Sequence, residues 1–339
     1  SKLAPQLVSA DAFTLSVRYL IQARTDEYAF TYNYATELGS FTNPILLTDA
    51  ETYNKSIVSN ETRHFRMISD ISFNVSDEVS KTYNTTFRGK LDGNNMTFKS
   101  LRLNSNTVDT SQEIKKLGMF NTISGRRNLT GLLEYAIVKN VNIEVAQLDG
   151  INVNVVGVLA GEISNARIYN INVSGGSVVV QGLNVVGGIA GIVNGDTDLV
   201  NLTNSISVNA NYYSNYNPFD YTLPYTLKQD NFETFVGKSV LYEPAKNNIA
   251  EVSYAGGIVG ICNITKRDPE EVDDETLSTL YNNLYRARRL YLNGTPTIEG
   301  EVAGGIFGYL SENSNLSDCD VTVKEGMHIK STRLAGGLV

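Results

Sequence analysis

Tryptophan is absent from the 339 residues, and the chain holds only 2 histidines, 2 cysteines and 7 prolines. Neither His64 nor His328 stands in a His-x-x-x-His pattern, so a zinc-protease signature is missing and each reads as an ordinary strand or surface histidine. No apolar run approaches the roughly 18 residues of a membrane-spanning helix. Positive charge is in deficit, with a net charge of −8, which argues against nucleic acid or an anionic membrane surface as a partner. Asparagine, in contrast, is abundant. Eleven of its copies head an Asn-x-Ser/Thr acceptor sequence for glycosylation, at Asn54, Asn60, Asn74, Asn84, Asn95, Asn128, Asn172, Asn201, Asn263, Asn293 and Asn315. About six would arise by chance. The excess leans towards the outside of a cell.

One short phrase recurs five times: Gly157-Val-Leu-Ala-Gly161, Gly187-Gly-Ile-Ala-Gly191, Gly256-Gly-Ile-Val-Gly260, Gly304-Gly-Ile-Phe-Gly308 and Gly336-Gly-Leu-Val339. The first two copies stand 30 residues apart and the last two 32. Units of that size cannot each bury a core alone and must stack. Each copy is too short and too rich in Gly and β-branched residues for a helical repeat. The expected fold is therefore all-β, a right-handed parallel β-helix, or solenoid, with three strands per coil. The phrase itself reads as one strand with Leu159, Ile189, Ile258, Ile306 and Leu338 on one face and Ala160, Ala190, Val259, Phe307 and Val339 on the other. Both faces are apolar, so both should be covered, one of them by an insert or a partner.

A second pattern places an apolar residue, any residue and a small polar one before alternating apolar and polar positions. It occurs as Phe98-Lys-Ser-Leu-Arg-Leu103, Val138-Lys-Asn-Val-Asn-Ile143, Ile168-Tyr-Asn-Ile-Asn-Val173 and Leu316-Ser-Asp-Cys-Asp-Val321. Alternation of period two sends one set inward and the Asn, Asp and Arg set outward. Ser177-Val-Val-Val-Gln-Gly-Leu-Asn-Val185 supplies a third strand. The coils span residues 46–339, and two over-long intervals between Gly phrases imply insertions at about 209–250 and 265–289. The second should carry a short helix, since Leu277, Leu280, Leu284 and Ala287 share a helical face, with acidic residues before it and Arg286, Arg288 and Arg289 after it. Thr48-Asp-Ala-Glu51 reads as a capping box that opens a helix to about Ile57 and plugs the first coil. Residues 1–45 read as a strand-rich cap or the end of a preceding domain. The start at Ser1 and the stop inside a Gly phrase, at Val339, are expected of a segment cut from a larger polypeptide.

Candidate chemistry is sparse. Cys262 falls in the register of Ile163, Val193 and Leu310, and Cys319 in that of Leu101, Val141 and Ile171, so both read as buried thiols replacing aliphatics. A bond between them is disfavoured, because they belong to different strands of different coils. Asn194-Gly-Asp-Thr-Asp198 has the oxygen donors of a calcium turn but lacks an iterated motif, and reads as a polar turn. Asp318 and Asp320 would face outward together, an arrangement open to acid–base chemistry on a sugar but equally to plain solvation. No catalytic, cofactor or metal residue is assigned, and no cofactor is expected. The sharpest binding candidate is the aromatic insert, with Tyr212, Tyr213, Tyr216, Phe219, Tyr221 and Tyr225 followed by Phe232, Phe235 and Tyr242. Tyrosine joins a flat apolar ring to a polar tip, which suits glycans and protein surfaces. These rings would equally form the insert's own small core.

Gly-Gly-Ile-Val-Gly at residues 256–260, with Asn170-Ile-Asn-Val173, resembles the GLUG motif of bacterial surface and secreted proteins. The stretch from Phe87 through Leu101, followed by Leu117-Gly-Met-Phe120, is similar to the opening of such arrays. It is also similar to the non-catalytic N-terminal region of immunoglobulin-A-cleaving metallopeptidases. Those enzymes carry a His-Glu-x-x-His segment elsewhere, which has no counterpart here. The resemblance covers about residues 46–339 and implies the architecture. The stacked array, its abrupt end and the missing catalytic set lead to the expectation of a non-catalytic extracellular segment, structural or adhesive, of a larger cell-surface or filament-forming protein. Its partners would be protein or glycan at a cell surface, or further copies of itself head to tail. Alternatives are a β-helix enzyme that cleaves polysaccharide and the non-catalytic domain of a secreted metallopeptidase.

Overall fold

A computed structural model describes residues 4–10, 15–20, 38–59, 61–73, 85–104, 115–129, 131, 133–150, 153–210, 253–265, 287–311, 314, 316–321 and 327–339. The chain divides into two compact units, Ser1–Ile45 and Leu46–Val339. In the first, Ala4–Ala10 pairs antiparallel with Leu15–Leu20.

The second unit is built mainly from parallel β-sheet. Apart from Ile45–Leu47 and the antiparallel pair of Arg126–Arg127 with Leu133–Glu134, its strands fall into four ladders, in each of which a strand pairs with one from the next repeat. The first ladder runs through His64–Met67, Lys90–Asp92, the first half of Ala136–Gly150, Ala166–Ser174, Asp198–Asn204, Ala287–Leu292 and Leu316–Val321. A second runs through Ile71–Ser72, Thr97–Asn104, the latter half of Ala136–Gly150, Val179–Gly182, Ser207–Ala210, and the opening residues of Thr297–Gly304 and His328–Gly336. The third takes Lys116–Leu117, Val155–Gly157, Val185–Gly187, Tyr254–Gly256 and the closing residues of Thr297–Gly304 and His328–Gly336. The fourth takes Thr86–Phe87, Phe120–Ser124, Ala160–Ser164, Ala190–Gly195, Val259–Ile264 and Phe307–Leu310. All-β architecture with large parallel sheets is thus the fold class. Ser177–Val185 does not form the single strand expected. It bends at Leu183 and Asn184, so its two halves join different ladders.

Inward rows match residue for residue. Phe65, Leu91, Val138, Ile168, Leu199 and Ala287 occupy one register and are all buried. Each Phe, Leu, Val or Ile of the row contributes about 1.5–3 kcal/mol when removed from water. Ala287 therefore lies on a strand among the core residues and not on the expected helical face, and Arg288 and Arg289 continue that strand. The Phe98–Leu103 stretch also departs from expectation. Phe98 pairs with Ile143 and Leu101 with Val145, so it sits one ladder along from Val138–Ile143, and Cys319 shares its register with Val141 and Ile171 but not with Leu101. Cys262 is fully buried between Val193 and Leu310, in the register read from the repeat.

The helix Ala50–Ser59 is capped one residue later than expected. Asp49 Oδ1 accepts from the Thr52 amide at 2.8 Å, and Thr52 Oγ1 accepts from the Asp49 amide at 3.0 Å. This pair, rather than Thr48 and Glu51, satisfies two otherwise orphaned donors. Hydrogen bonds from Thr48 and Thr52 hold the Asp49 carboxyl below its ordinary pKa, against the opposing effect of burial. The helix buries Tyr53 and Ile57 completely, and the Tyr53 ring meets Phe73 and Phe98 edge-on at 5.9 and 5.0 Å.

Candidate functional site

The recurring Gly phrase is a corner. Gly157 closes a third-ladder strand, Val158 and Leu159 bend, and Ala160 opens a fourth-ladder strand. This corrects the reading of the phrase as one strand. A Cβ on Gly187, Gly256 or Gly304 would collide with the carbonyl oxygen of Ala190, Val259 or Phe307, so the first glycine is required by a close backbone approach. The final glycine is required by a side chain. A Cβ on Gly191 would stand 2.5 Å from Val155 Cγ1, one on Gly260 2.7 Å from Val185 Cγ1, and one on Gly161 2.7 Å from Lys116 Cβ.

These contacts bring the third and fourth ladders together beside the corner. The Lys116–Val155–Val185–Tyr254–Val302 row and the Glu162–Ile192–Ile261–Tyr309 row turn towards each other. Val155, Val185, Ile192, Tyr254 and Ile261 form a buried apolar cluster against which Val302 and Tyr309 pack. At one end the corner is ionic, with Lys116 Nζ paired to Glu162, whose other oxygen accepts from Asn194 Nδ2 at 3.0 Å. Ala160, Ala190, Val259 and Phe307, the second face read from the sequence, are all buried.

Beside another corner lies a charged cluster around Arg167. Its Nη1 reaches Asp196 Oδ1 at 2.9 Å and its Nε reaches Asp198 Oδ2 at 3.1 Å. The guanidinium carbon stands 3.6 Å from the centroid of the Tyr135 ring, and the Tyr135 hydroxyl donates to Asp196 Oδ2 at 2.7 Å. The Arg167 side chain is 13% exposed. Burial works against its charge, but Asp198 and Asp196 together raise its pKa above the ordinary arginine value. Burial first, then the bond to Asp196, raises Tyr135 as well. The Asn194–Asp198 turn thus spends its carboxylates on an internal cation, which leaves it a structural turn. Among the described residues no group of three or more His, Cys, Asp or Glu is placed to hold a metal.

The first ladder carries an outward chain of amides. Asn140 Nδ2 donates to Asp92 Oδ1 at 3.1 Å, Asn170 Nδ2 to Asn140 Oδ1 at 2.8 Å, and Asn201 Nδ2 to Asn170 Oδ1 at 2.9 Å. All three asparagines have left-handed backbones, with φ of 57°, 54° and 57°. That conformation spaces the flanking inward residues by three instead of two, and asparagine tolerates it better than most residues. The small polar residue of the second sequence pattern owes its identity to this bend.

The aromatic residues Tyr212, Tyr213, Tyr216, Phe219, Tyr221 and Tyr225 lie outside the described residues, as do Leu277, Leu280, Leu284 and the side chains of Asp318, Cys319 and Asp320. Residues 211–253 separate two strands at a point where Leu183 and Asn184 suffice one repeat earlier. Of the acceptor sequences, Asn95, Asn172, Asn201 and Asn293 are exposed, and Asn128 and Asn263 partly so. Asn60, Asn74, Asn84 and Asn315 are outside the described residues. Asn54 lies on the buried face of the helix, 5% exposed. No helix among the described residues is long and apolar enough to cross a membrane. No family model matches the chain, and no curated protein matches it significantly.

Proposed function

We propose that the four ladders are the faces of a right-handed parallel β-helix, and that the chain is a non-catalytic extracellular segment, structural or adhesive, of a larger surface or filament-forming protein. The observation that carries this reading is the commitment of the Arg167, Lys116 and Asn170 clusters to internal partners. Arg167 holds Asp196 and Asp198, Lys116 holds Glu162, and the outward asparagines bind in series. A polysaccharide-cleaving site would instead need carboxylates or cations converging on open space. Right-handedness is supported by the chirality of strand–connection–parallel strand units, right-handed in about 98% of cases. Exposed acceptor asparagines and the GLUG-like phrase support an extracellular setting. Head-to-tail stacking of copies would have to displace the helix that buries Tyr53 and Ile57 over the first core aromatics.

The test offers the purified chain to a panel of neutral and uronate-containing polysaccharides, with release of reducing or unsaturated ends followed over time. Beads coated with the chain are scored in parallel for adhesion to cells. Adhesion without turnover is expected. Turnover at ordinary enzymatic rates would overturn the reading.

A further inference from the structure

Two Asn-Gly pairs occur in the sequence, Asn194-Gly195 and Asn293-Gly294, and the fold treats them in opposite ways. Asn194 Nδ2 donates to Glu162 Oε1 at 3.0 Å, and its carbonyl oxygen accepts from Thr197 Oγ1 at 2.6 Å. The Gly195 carbonyl accepts from the Thr197 and Thr265 amides at 2.9 and 3.0 Å, at the end of the strand Ala190–Gly195, which pairs with Val259–Ile264. Asn293 is exposed and follows the end of a strand. Its side-chain amide makes no hydrogen bond to a described residue, and neither does the Gly294 backbone N–H. Gly294 has φ of 77° and open space around it, with Ser205 Cβ nearest at 4.0 Å from where a Cβ would stand.

We infer that Asn293 is a site of spontaneous main-chain modification, deamidation through a succinimide, and that Asn194 is protected from it. Base removes the Gly294 amide proton, and that nitrogen attacks Cγ of Asn293. The Cγ–Nδ2 bond breaks, ammonia leaves carrying a proton from solvent, and a five-membered imide remains. Water then opens the imide at either carbonyl, giving aspartate or isoaspartate with no change of oxidation state. The attack needs a side chain free to rotate over the following nitrogen and a residue there without a Cβ to block it. Asn293 meets both conditions. At Asn194 the reaction must first break a hydrogen bond to a charged acceptor and distort a paired strand, which should slow it by roughly tenfold to a hundredfold.

The conversion has a structural and a chemical consequence. Isoaspartate lengthens the backbone by one carbon beside the Asn293 amide, which donates to the Asn204 carbonyl at 2.9 Å. It also destroys the Asn-Gly-Thr acceptor sequence, so glycosylation at Asn293 and deamidation exclude each other. That second consequence rests on the extracellular reading, whereas the conversion itself does not.

The test incubates the unglycosylated full chain at mildly alkaline pH, native and in denaturant, and follows each Asn-Gly peptide by mass spectrometry with isoaspartate detection. In the native chain Asn293 should convert and Asn194 should lag by the factor above, while in denaturant the two should react alike. The variant Gly294→Ala should slow Asn293 in denaturant too, where folding is not at issue. Equal native rates at the two sites would overturn the inference. So would a native Asn293 that stays intact while its denatured counterpart reacts.

Discussion

Asn201 donates its side-chain amide to Oδ1 of Asn170 at 2.9 Å, and both residues have left-handed backbones one repeat apart in the same ladder. The pair performs two tasks that substitution can separate. Asn170→Ala removes both amide bonds and forces an alanine into the left-handed region, at a combined cost of about 2–3 kcal/mol. Asn170→Gly removes the same bonds but accepts the backbone, so its cost should be about half. Urea unfolding midpoints of the two variants give the comparison. A glycine variant as damaged as the alanine one would show that the bend is not what selects asparagine.

Gly191→Ala should destabilise by about 1–3 kcal/mol, because its Cβ would meet the Val155 side chain and the Gly161 carbonyl in the concave corner. Gly337→Ala is the control, since nothing lies within 4 Å of where its Cβ would stand. Thermal melts of the two should differ clearly. Equal melts would mean the corner relaxes to admit a methyl group, and the glycine would need another explanation.

Arg167→Ala should cost about 3 kcal/mol, since it removes the cation that neutralises Asp196 and Asp198, which are 28% and 12% exposed. Lys139→Ala removes a pair with Asp92 at 3.4 Å in which the lysine is 44% exposed, and should cost about 0–1 kcal/mol. Denaturant titration of both variants orders them. A lysine variant as damaging as the arginine one would contradict the assignment of Arg167 as the internal cation of its corner.

Tyr135 titrates above its ordinary 10.0 in the folded chain, through burial and then its bond to Asp196. A raised folded value means that its stabilisation is fully present below the unfolded pKa and is lost as pH rises through the folded one. The stability gap between the native chain and Tyr135→Phe should therefore hold steady from neutral pH to about pH 9 and shrink above about pH 10. A gap unchanged through that range would show that burial and Asp196 do not hold the hydroxyl protonated.

The repeat was legible because glycine had no substitute at its corner. Gly157, Gly187, Gly256, Gly304 and Gly336 align in one register of the third ladder, as their spacing implies. Cys262 was legible for a related reason, since a residue in a stacked row inherits the environment of its neighbours. The concave corner was not legible. Val155 and Val156 are both buried, and alternation alone cannot tell a core face from an outer face folded against the next ladder. Nor was the role of Asn194–Asp198, because Arg167 lies about one repeat away and nothing local announces the pairing. Phe98–Leu103 misled because Ser100 adopts the same left-handed bend, φ 57°, as Asn140 in a different ladder. A shared backbone device does not fix which ladder carries it.

Parallel stacking of successive repeats is the central claim, and paired cysteines test it most directly. Lys139 faces Tyr169 and Glu144 faces Ser174, five residues further along both strands. Neighbours in a parallel ladder stand about 4.8 Å apart, within disulfide reach. The double variants Lys139→Cys with Tyr169→Cys and Glu144→Cys with Ser174→Cys should each close on mild oxidation, scored by mass spectrometry of the intact chain. Lys139→Cys with Ser174→Cys, which an antiparallel arrangement would bring near, should stay open. Closure of that third pair, with failure of the first two, would contradict the account.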